Sequence, residues 1–242
     1  MIVQNRILAC MSPRLFMQIG EFLEPVVLKR RAILQDHNRP IEHVYFIERG
    51  VASLLARTQR DGAVGVAMVG RFGFVGVAAV LGIMRSPHRY IMEVPGEALR
   101  IGSQELYQIA ESIPGIRHHL CKYVYALLSQ NAQLALCNVR HGIEQRLCRW
   151  LLLAADRLDD TVIPVTHDQL AILLGVRRAG ITGTLSSLQQ LGTVKKTRGS
   201  IEILDSAALA RKACQCYRIV TSEFKGILDA GCYEHVLATD AH

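Results

Sequence analysis

The chain has 242 residues, half of them hydrophobic, and its 28 Lys and Arg outnumber its 21 Asp and Glu to give a net charge of +7. This composition excludes a disordered or fibrous chain and a small disulfide-stapled one, because it supplies enough apolar surface for a core. At about 100 to 200 residues per domain, the length allows one large domain or two smaller ones. The mild basic excess suggests a polyanionic partner, either nucleic acid or anionic lipid, and its distribution along the chain must decide between them.

The N-terminus and the cysteines bear on the compartment. The first ten residues lack the apolar core of a secretory signal, and the seven irregularly spaced cysteines suit a reducing environment. Within the Gly-rich segment 62–84, the longest uncharged stretch is the 13 residues from Phe72 to Met84, whereas a membrane-spanning helix needs roughly 20. We therefore expect a cytoplasmic protein with no membrane partner.

A short helix and then a β-rich segment open the chain. Ser12 followed by Pro13 predicts a helix N-terminus. From Pro25 to Ile101, short β-type runs alternate with turn signals. The runs are 26–28, 32–34, 44–47, 51–55, 64–69, 90–92 and 98–101, and the turn signals include Arg49-Gly50, Asp61-Gly62 and Pro95-Gly96. Many short strands at this spacing predict an antiparallel sandwich or barrel.

One long helix is predicted next, because no Gly or Pro interrupts the chain between Gly115 and Gly142. Leu120, Leu127 and Leu134 recur every seven residues, and Tyr123 is offset from Leu120 by three. This is the spacing of a coiled-coil seam, so we expect these four residues to pair with a second copy of the chain. The alternative is a helix packed wholly on its own barrel.

The clearest motif follows a second helix at about 143–157. Thr166 with Gln169 three residues later is a capping box that starts a helix, and Gly175 ends that helix in a tight turn. A new helix is predicted from about Arg177 to Gly192. Two short helices joined by a Gly-containing turn form a helix-turn-helix, and the two short strands predicted at 194–196 and 201–204 form a wing behind it.

Charge is concentrated in this motif. Between Thr166 and Ile201 there are five basic residues and one acidic residue, Asp168, so four of the seven net charges lie here. We predict that Arg177 and Arg178 read the major groove, because Arg can pair with a guanine edge through two hydrogen bonds. We predict phosphate contacts for Lys195, Lys196 and Arg198.

Short polar side chains complete the predicted DNA interface: Thr166, His167, Thr182, Thr184 and Ser186. Hydroxyl groups at such positions can reach a phosphate or a base edge. The alternative is a solvated charged face on a purely structural winged helix.

The order of these parts resembles the Crp/Fnr family of bacterial transcription regulators, over residues 12–205. The resemblance rests on Ile41–Gly50, Gly70–Gly76, Glu144–Trp150 and Thr166–Gly192. It implies an α+β chain, with an antiparallel β-barrel (jelly roll) sensor domain at 12–112, a dimerisation helix at 113–141, a winged helix-turn-helix at 142–206 and a helical tail at 207–242. It further implies a homodimer that binds a two-fold symmetric operator on double-stranded DNA and represses transcription or recruits RNA polymerase.

The chain departs from the cyclic-nucleotide-binding members of that family. Val77 follows Gly76 where those members carry the Glu that holds the ribose, and Tyr90-Ile91 follow Arg89. A buried ribose without its acceptor binds poorly, so we expect no cyclic nucleotide. The alternative is a sensor that still binds a cyclic nucleotide or another small effector, with Gly76, Arg89 and Asn131 as its polar members.

The expected cofactor complement is none. An iron–sulfur cluster needs four ligands, and the N-terminal region has only Cys10. Cys214 and Cys216, two apart on an apparent helix, should point in different directions, so we expect packing cysteines and no metal site. The recognition helix also differs from that of many members, with Ala179 after Arg178 and then Gly183, which predicts a different half-site.

Two other classes of function are alternatives to DNA binding. An enzyme with a nucleotide cradle is disfavoured, because Gly70-x-x-Gly73-x-x-Gly76 lacks the spacing and the Lys of a P-loop, and no catalytic constellation is evident. A ligand-sensing or protein-binding module with a vestigial DNA domain stays open as the third hypothesis.

Overall fold

The computed structural model describes residues 3–58 and 62–236, with only the backbone described for Thr58 and for 227–236. The helix predicted at Pro13 is present as α2, Pro13–Gly20, and Ser12 caps it by accepting a hydrogen bond from the Leu15 amide. A shorter helix that was not predicted, α1 (Arg6–Ala9), precedes it.

Asn5 caps α1 and also ties it to the sheet. Its side-chain amide is buried and donates to the backbone carbonyls of Ile47 and Gly73, both at 2.8 Å. The folded unit therefore begins before residue 12, where the sensor domain was expected to start.

The N-terminal half is an antiparallel sheet, as predicted. Its strands are β1 (Glu24–Leu28), β2 (Ile33–Gln35), β3 (His43–Thr58), β4 (Gly62–Val69), β5 (Phe74–Val75) and β6 (Arg89–Gly102). The main path is β1-β6-β3-β4, with β2 pairing to β6 and β5 to β3. A small helix, α3 (Val77–Val80), lies between β5 and β6.

Two predicted turns prove to be bulges inside continuous strands. Arg49-Gly50 lies within β3 and Pro95-Gly96 within β6, and the β3–β6 register shifts on either side of Arg49. Gly50 has φ +91°, and a Cβ on Gly96 would lie 1.9 Å from the Arg49 carbonyl oxygen. The glycines therefore permit two backbones to approach closely while the ladder continues, which bends both strands. Asp61, part of a third predicted turn, lies outside the described residues.

The C-terminal half is helical, as predicted, except that the predicted helical tail is divided into two helices and that its residues 237–242 lie outside the described residues. Its elements are α4 (Ser103–Ser112), α5 (Pro114–Arg140), α6 (Ile143–Leu158), β7 (Val162–Ile163), α7 (His167–Leu174), α8 (Arg178–Gln190), β8 (Val194–Thr197), β9 (Ser200–Ile203), α9 (Ser206–Lys212) and α10 (Cys216–Val236). The small second sheet has the order β7-β9-β8, so the wing has a third strand that was not predicted. In the part of the chain that the structure describes, no helix is long and apolar enough to cross a membrane.

One large apolar core runs from α1 and the sheet through α5 into the helix-turn-helix. Tyr123 on α5 is buried at its centre, 4.7 Å from the Phe74 ring between ring centroids. A Cβ on Gly73 would fall 2.2 Å from the Tyr123 hydroxyl, so the absence of a side chain there lets α5 lie on the sheet.

Candidate nucleic-acid interface

The first helix of the helix-turn-helix begins at the predicted capping box. The Thr166 side chain accepts from the Gln169 amide at 3.3 Å, and the Thr166 amide donates back to Gln169 Oε1 at 3.0 Å. These bonds satisfy amides that a helix start leaves without partners. Gly175 ends α7 with φ +62°, a conformation that glycine adopts without strain.

The second helix, α8, packs on the rest of the domain through its apolar side. Ile181, Leu185 and Leu188 are fully buried against the rest of the domain, so the opposite side of α8 faces solvent. Arg177 is the N-cap residue and makes no side-chain capping bond, and Arg178 is the first helical residue. Both side chains are exposed, at the end of a helix where the backbone amides and the dipole already attract a phosphate.

Arg178 has one weak partner. Its Nε lies 3.3 Å from Asp168 Oδ1, and both side chains are about two-thirds exposed at 67% and 64%. An exposed pair of this kind contributes about 0 to 1 kcal/mol. The guanidinium can therefore exchange Asp168 for a guanine edge or a phosphate at little cost.

The predicted hydroxyl donors differ in availability. Thr182 is exposed and shares a hydrogen bond of 3.0 Å with His167 Nδ1. Partial burial lowers the pKa of His167, with Lys196 and Arg178 adding to the shift. Thr184 is half-buried and donates to the Gly180 carbonyl at 2.9 Å, and Ser186 donates to the Thr182 carbonyl at 2.9 Å. These last two hydroxyls are engaged within their own helix.

The wing carries the remaining predicted cations beside α8. Lys196 donates from Nζ to Ser186 Oγ at 2.9 Å, and its amide donates to Gln189 Oε1 at 3.0 Å, so the wing is tied to the helix. Lys195 lies 3.8 Å from Glu202 across the hairpin, and Arg198 is exposed at the turn. Lys196 and Arg178 both act electrostatically on His167, so these two cations lie near each other.

The comparisons with known proteins identify this domain. Residues 145–212 match the Crp-like helix-turn-helix domain. These residues therefore form a helix-turn-helix domain of the Crp type. No curated protein matches the chain in sequence.

Solved structures of other proteins share the fold over most of the chain. A protein of Eubacterium rectale assigned to the Crp/Fnr family has a TM-score of 0.65 at 18% identity, covering 86% of this chain and 95% of its own. FixK2 of Bradyrhizobium japonicum has 0.63 at 13%, covering 79% and 98%. The c-di-GMP responsive regulator CLP of Xanthomonas campestris has 0.63 at 17%, covering 80% and 100%. These likenesses establish the α+β architecture, with the winged helix-turn-helix at its C-terminal end.

The Crp-like helix-turn-helix is docked on the N-terminal sheet. Gln169 donates to the buried Glu93 carboxylate of β6 at 2.8 Å and accepts from Arg30 at 2.6 Å. Burial raises the pKa of Glu93 above its ordinary value, against the hydrogen bond from Gln169 and the charges of Arg30 and Arg31. The sequence predicts Gln169 only as part of the capping box, because its partners Glu93 and Arg30 are distant in sequence and leave no local pattern.

The residues proposed for an effector pocket lie apart from the small cavity beneath α5. Arg89 is engaged with Asp36 at 2.8 Å, and Gly76 is the N-cap of α3 with φ +98°. Asn131 on α5 has a buried Oδ1 with no hydrogen-bond partner among the described residues. The cavity between sheet and α5, lined by Ser53 and Gln130 among others, holds about 20 Å³, room for about one water molecule.

The predicted dimer seam proves to be largely a core-facing stripe. Leu120, Tyr123 and Leu127 are buried within the chain, and Leu134 is half-buried. Heptad spacing cannot distinguish a helix that faces a partner from one that faces its own sheet, and here the sheet covers this stripe. The exposed apolar side chains of α5 are Tyr125, Leu128, Leu136 and Val139.

The prediction that Cys214 and Cys216 point apart is wrong. Cys214 lies in the connection between α9 and α10, and only Cys216 belongs to a helix, as its first residue. The non-helical bend turns both thiols toward the end of α5. There they meet Cys137 and His141, and the four potential ligand atoms all lie within 4.8 Å of one another.

Proposed function

We propose that this chain is a Crp/Fnr-type regulator that binds a two-fold symmetric DNA operator by placing α8 in the major groove. The observation that carries the proposal is the exposed Arg177–Arg178 pair at the N-terminus of α8, with Lys196 of the wing close to Arg178. In this role the two arginines and Thr182 face base edges, while Thr166, His167, Lys195, Lys196 and Arg198 contact phosphates. Thr184 and Ser186 serve α8 itself through their bonds to helix carbonyls.

We further propose a homodimer formed through the exposed stripe of α5. Val139 is 82% and Leu128 is 63% exposed, and apolar side chains in a row along a long helix are typical of a protein interface. Two-fold symmetry of the dimer would then match that of the operator. Leu128→Glu should give monomers by light scattering, whereas Met17→Glu, on the 67% exposed Met17 of α2, should leave the dimer intact.

The proposed regulator works without a cyclic nucleotide and without an N-terminal iron–sulfur cluster. Two observations support the first part: Val77 stands where the cyclic-nucleotide-binding members of the family carry Glu, and Arg89 is paired with Asp36. The cluster is disfavoured because the N-terminal region offers only Cys10. Such a regulator would act in the cytoplasm, where it represses transcription or contacts RNA polymerase.

The competing proposal is a sensor that binds another small effector in the same half of the chain. The observation that favours it is the buried, unpartnered Asn131 Oδ1 on α5, and a regulator of the same fold responds to c-di-GMP by its description. Calorimetric titration with cyclic AMP, cyclic GMP and c-di-GMP separates the two proposals, since heat of binding from any of them favours the sensor.

Electrophoretic mobility shift at low salt tests DNA binding directly. The wild-type chain should shift a selected DNA fragment, and the Arg177→Ala/Arg178→Ala variant should not. If wild type fails to bind DNA, the exposed cations are only a solvated face of a structural winged helix.

A further inference from the structure

Four side chains that no part of the proposed DNA-binding function uses converge at the C-terminal end of α5. Cys137 lies in the last turn of α5 and His141 is its C-cap residue, while Cys214 lies two residues before Cys216, the first residue of α10. Cys137, Cys214 and Cys216 are buried, and all three are free thiols. His141 is half-buried.

Two separations within this cluster lie close to the edge lengths of a tetrahedral site. Cys137 Sγ lies 3.4 Å from Cys214 Sγ, and Cys216 Sγ lies 3.5 Å from His141 Nδ1. With Zn–S of about 2.3 Å and Zn–N of about 2.0 Å, a tetrahedral ion places its ligands about 3.5 to 3.8 Å apart. A polynuclear iron–sulfur cluster would need wider spacing, because its ligands bind different iron atoms.

We propose that Cys137, His141, Cys214 and Cys216 bind one Zn²⁺ ion. This replaces the expectation that the chain has no metal site. Three thiolates and one imidazole form a closed structural set with no position left for a substrate. Binding is ligand exchange: the thiols lose their protons as Zn–S bonds form, and no group is oxidised or reduced.

The surroundings fit a thiolate-rich ion. Three thiolates and Zn²⁺ leave one net negative charge, and two arginines of α6 face it. Arg149 is buried, and its Nε has no hydrogen-bond partner among the described residues; its charge acts on Cys137 and Cys214. Arg146 acts on the same two thiols, and its Nε likewise finds no partner in the described part of the chain. A buried guanidinium nitrogen without a partner is costly, so a charged metal–thiolate centre would compensate Arg149, while Arg146 is also held by a hydrogen bond to the Leu174 carbonyl.

A hydrogen bond from outside the four proposed ligands also orients the Cys216 thiol. Gln133 Nε2 donates to Cys216 Sγ at 3.1 Å, the kind of hydrogen bond that holds a metal-bound thiolate in place. The site would fasten the end of α5 to the α9–α10 connection, immediately before the Gly142 junction that leads into the DNA-binding domain.

Cobalt substitution tests the site in the full chain. The protein is reduced, stripped with a chelator and titrated with Co²⁺ under nitrogen. We expect thiolate-to-cobalt charge-transfer and tetrahedral d–d absorption that saturates at one ion per chain and disappears when Zn²⁺ is added. Absence of these bands in folded, reduced protein would overturn the proposal.

Two kinds of variant locate the ion. Cys216→Ser should abolish the cobalt bands, while the controls Cys121→Ser and Cys148→Ser, which change free cysteines outside the cluster, should keep them. Gln133→Ala leaves all four ligands in place and should weaken Zn²⁺ binding by about 10- to 100-fold, measured against a chromophoric chelator. Equal loss of the bands in the control variants would place the ion elsewhere and refute the assignment. None of these readouts depends on DNA binding.

Discussion

Gly65 of β4 decides whether the helix-turn-helix can rest on the sensor sheet. A Cβ at this position would lie 2.8 Å from the Leu173 carbonyl oxygen and 3.2 Å from Leu173 Cα, both in the backbone of α7. A carbon and an oxygen at 2.8 Å overlap, and a helix backbone cannot rotate away as a side chain can. In Gly65→Ala, α7 must therefore move off the sheet by several tenths of an ångström, at a cost of about 1 to 3 kcal/mol.

That displacement should also weaken the hydrogen bond that Gln169 donates to Glu93 and the one that it accepts from Arg30, because both span the same contact. Hydrogen exchange followed by mass spectrometry should show faster exchange in α7 amides of Gly65→Ala, together with a lower Tm. Gly226→Ala is the matched control, because its added Cβ meets nothing within 4 Å. If Gly65→Ala exchanges and melts like wild type, the close docking of α7 on β4 is refuted.

Three further variants test other parts of the account. Lys195→Ala should reduce the slope of log affinity for DNA against log salt by about 1.8 for a dimer, since each lost phosphate contact contributes about 0.9; an unchanged slope would remove Lys195 from the interface. Arg157→Leu leaves the buried Gln130 Oε1 without the donor that now lies 2.7 Å away, so the free energy of unfolding should fall by about 1 to 3 kcal/mol. The double variant Arg157→Leu/Gln130→Leu should recover part of this loss, because the unpaired acceptor is removed. Denaturant titrations that show strictly additive losses for the two substitutions would contradict this. Because burial raises the pKa of Glu93, its ionised form destabilises the fold at neutral pH. Glu93→Gln should therefore raise Tm at pH 7, and the gain in Tm should shrink as the pH falls toward the usual Glu pKa. A gain in Tm that does not change with pH would refute this prediction.

Local patterns were sufficient for the parts of the fold that local chemistry determines. The capping box of Thr166 and Gln169 and the left-handed Gly175 act over a few residues, so the helix-turn-helix could be predicted nearly to the residue. The same holds for α5, where the absence of Gly and Pro allows 27 helical residues.

Features that depend on contacts distant in sequence were missed or misjudged. Gly50 and Gly96 carry the residue preferences of a turn, but the opposing strand makes them bulges. The heptad spacing of α5 correctly predicts an apolar stripe, but it does not determine that the sheet of the same chain covers this stripe. The Cys/His cluster joins residues 77 positions apart, and its geometry depends on a non-helical bend before α10 that periodicity cannot show.

The central claim is that the α8 arginines read DNA sequence, and selection from a random DNA pool tests it most directly. Wild type and the control Arg14→Ala/Arg39→Ala, which removes two exposed charges from the N-terminal half, should enrich the same two-fold symmetric sequence, with half-sites about 10 base pairs apart. Arg177→Ala/Arg178→Ala should enrich no such sequence. Enrichment of the same sequence by this variant, or no enrichment by wild type, would contradict the account.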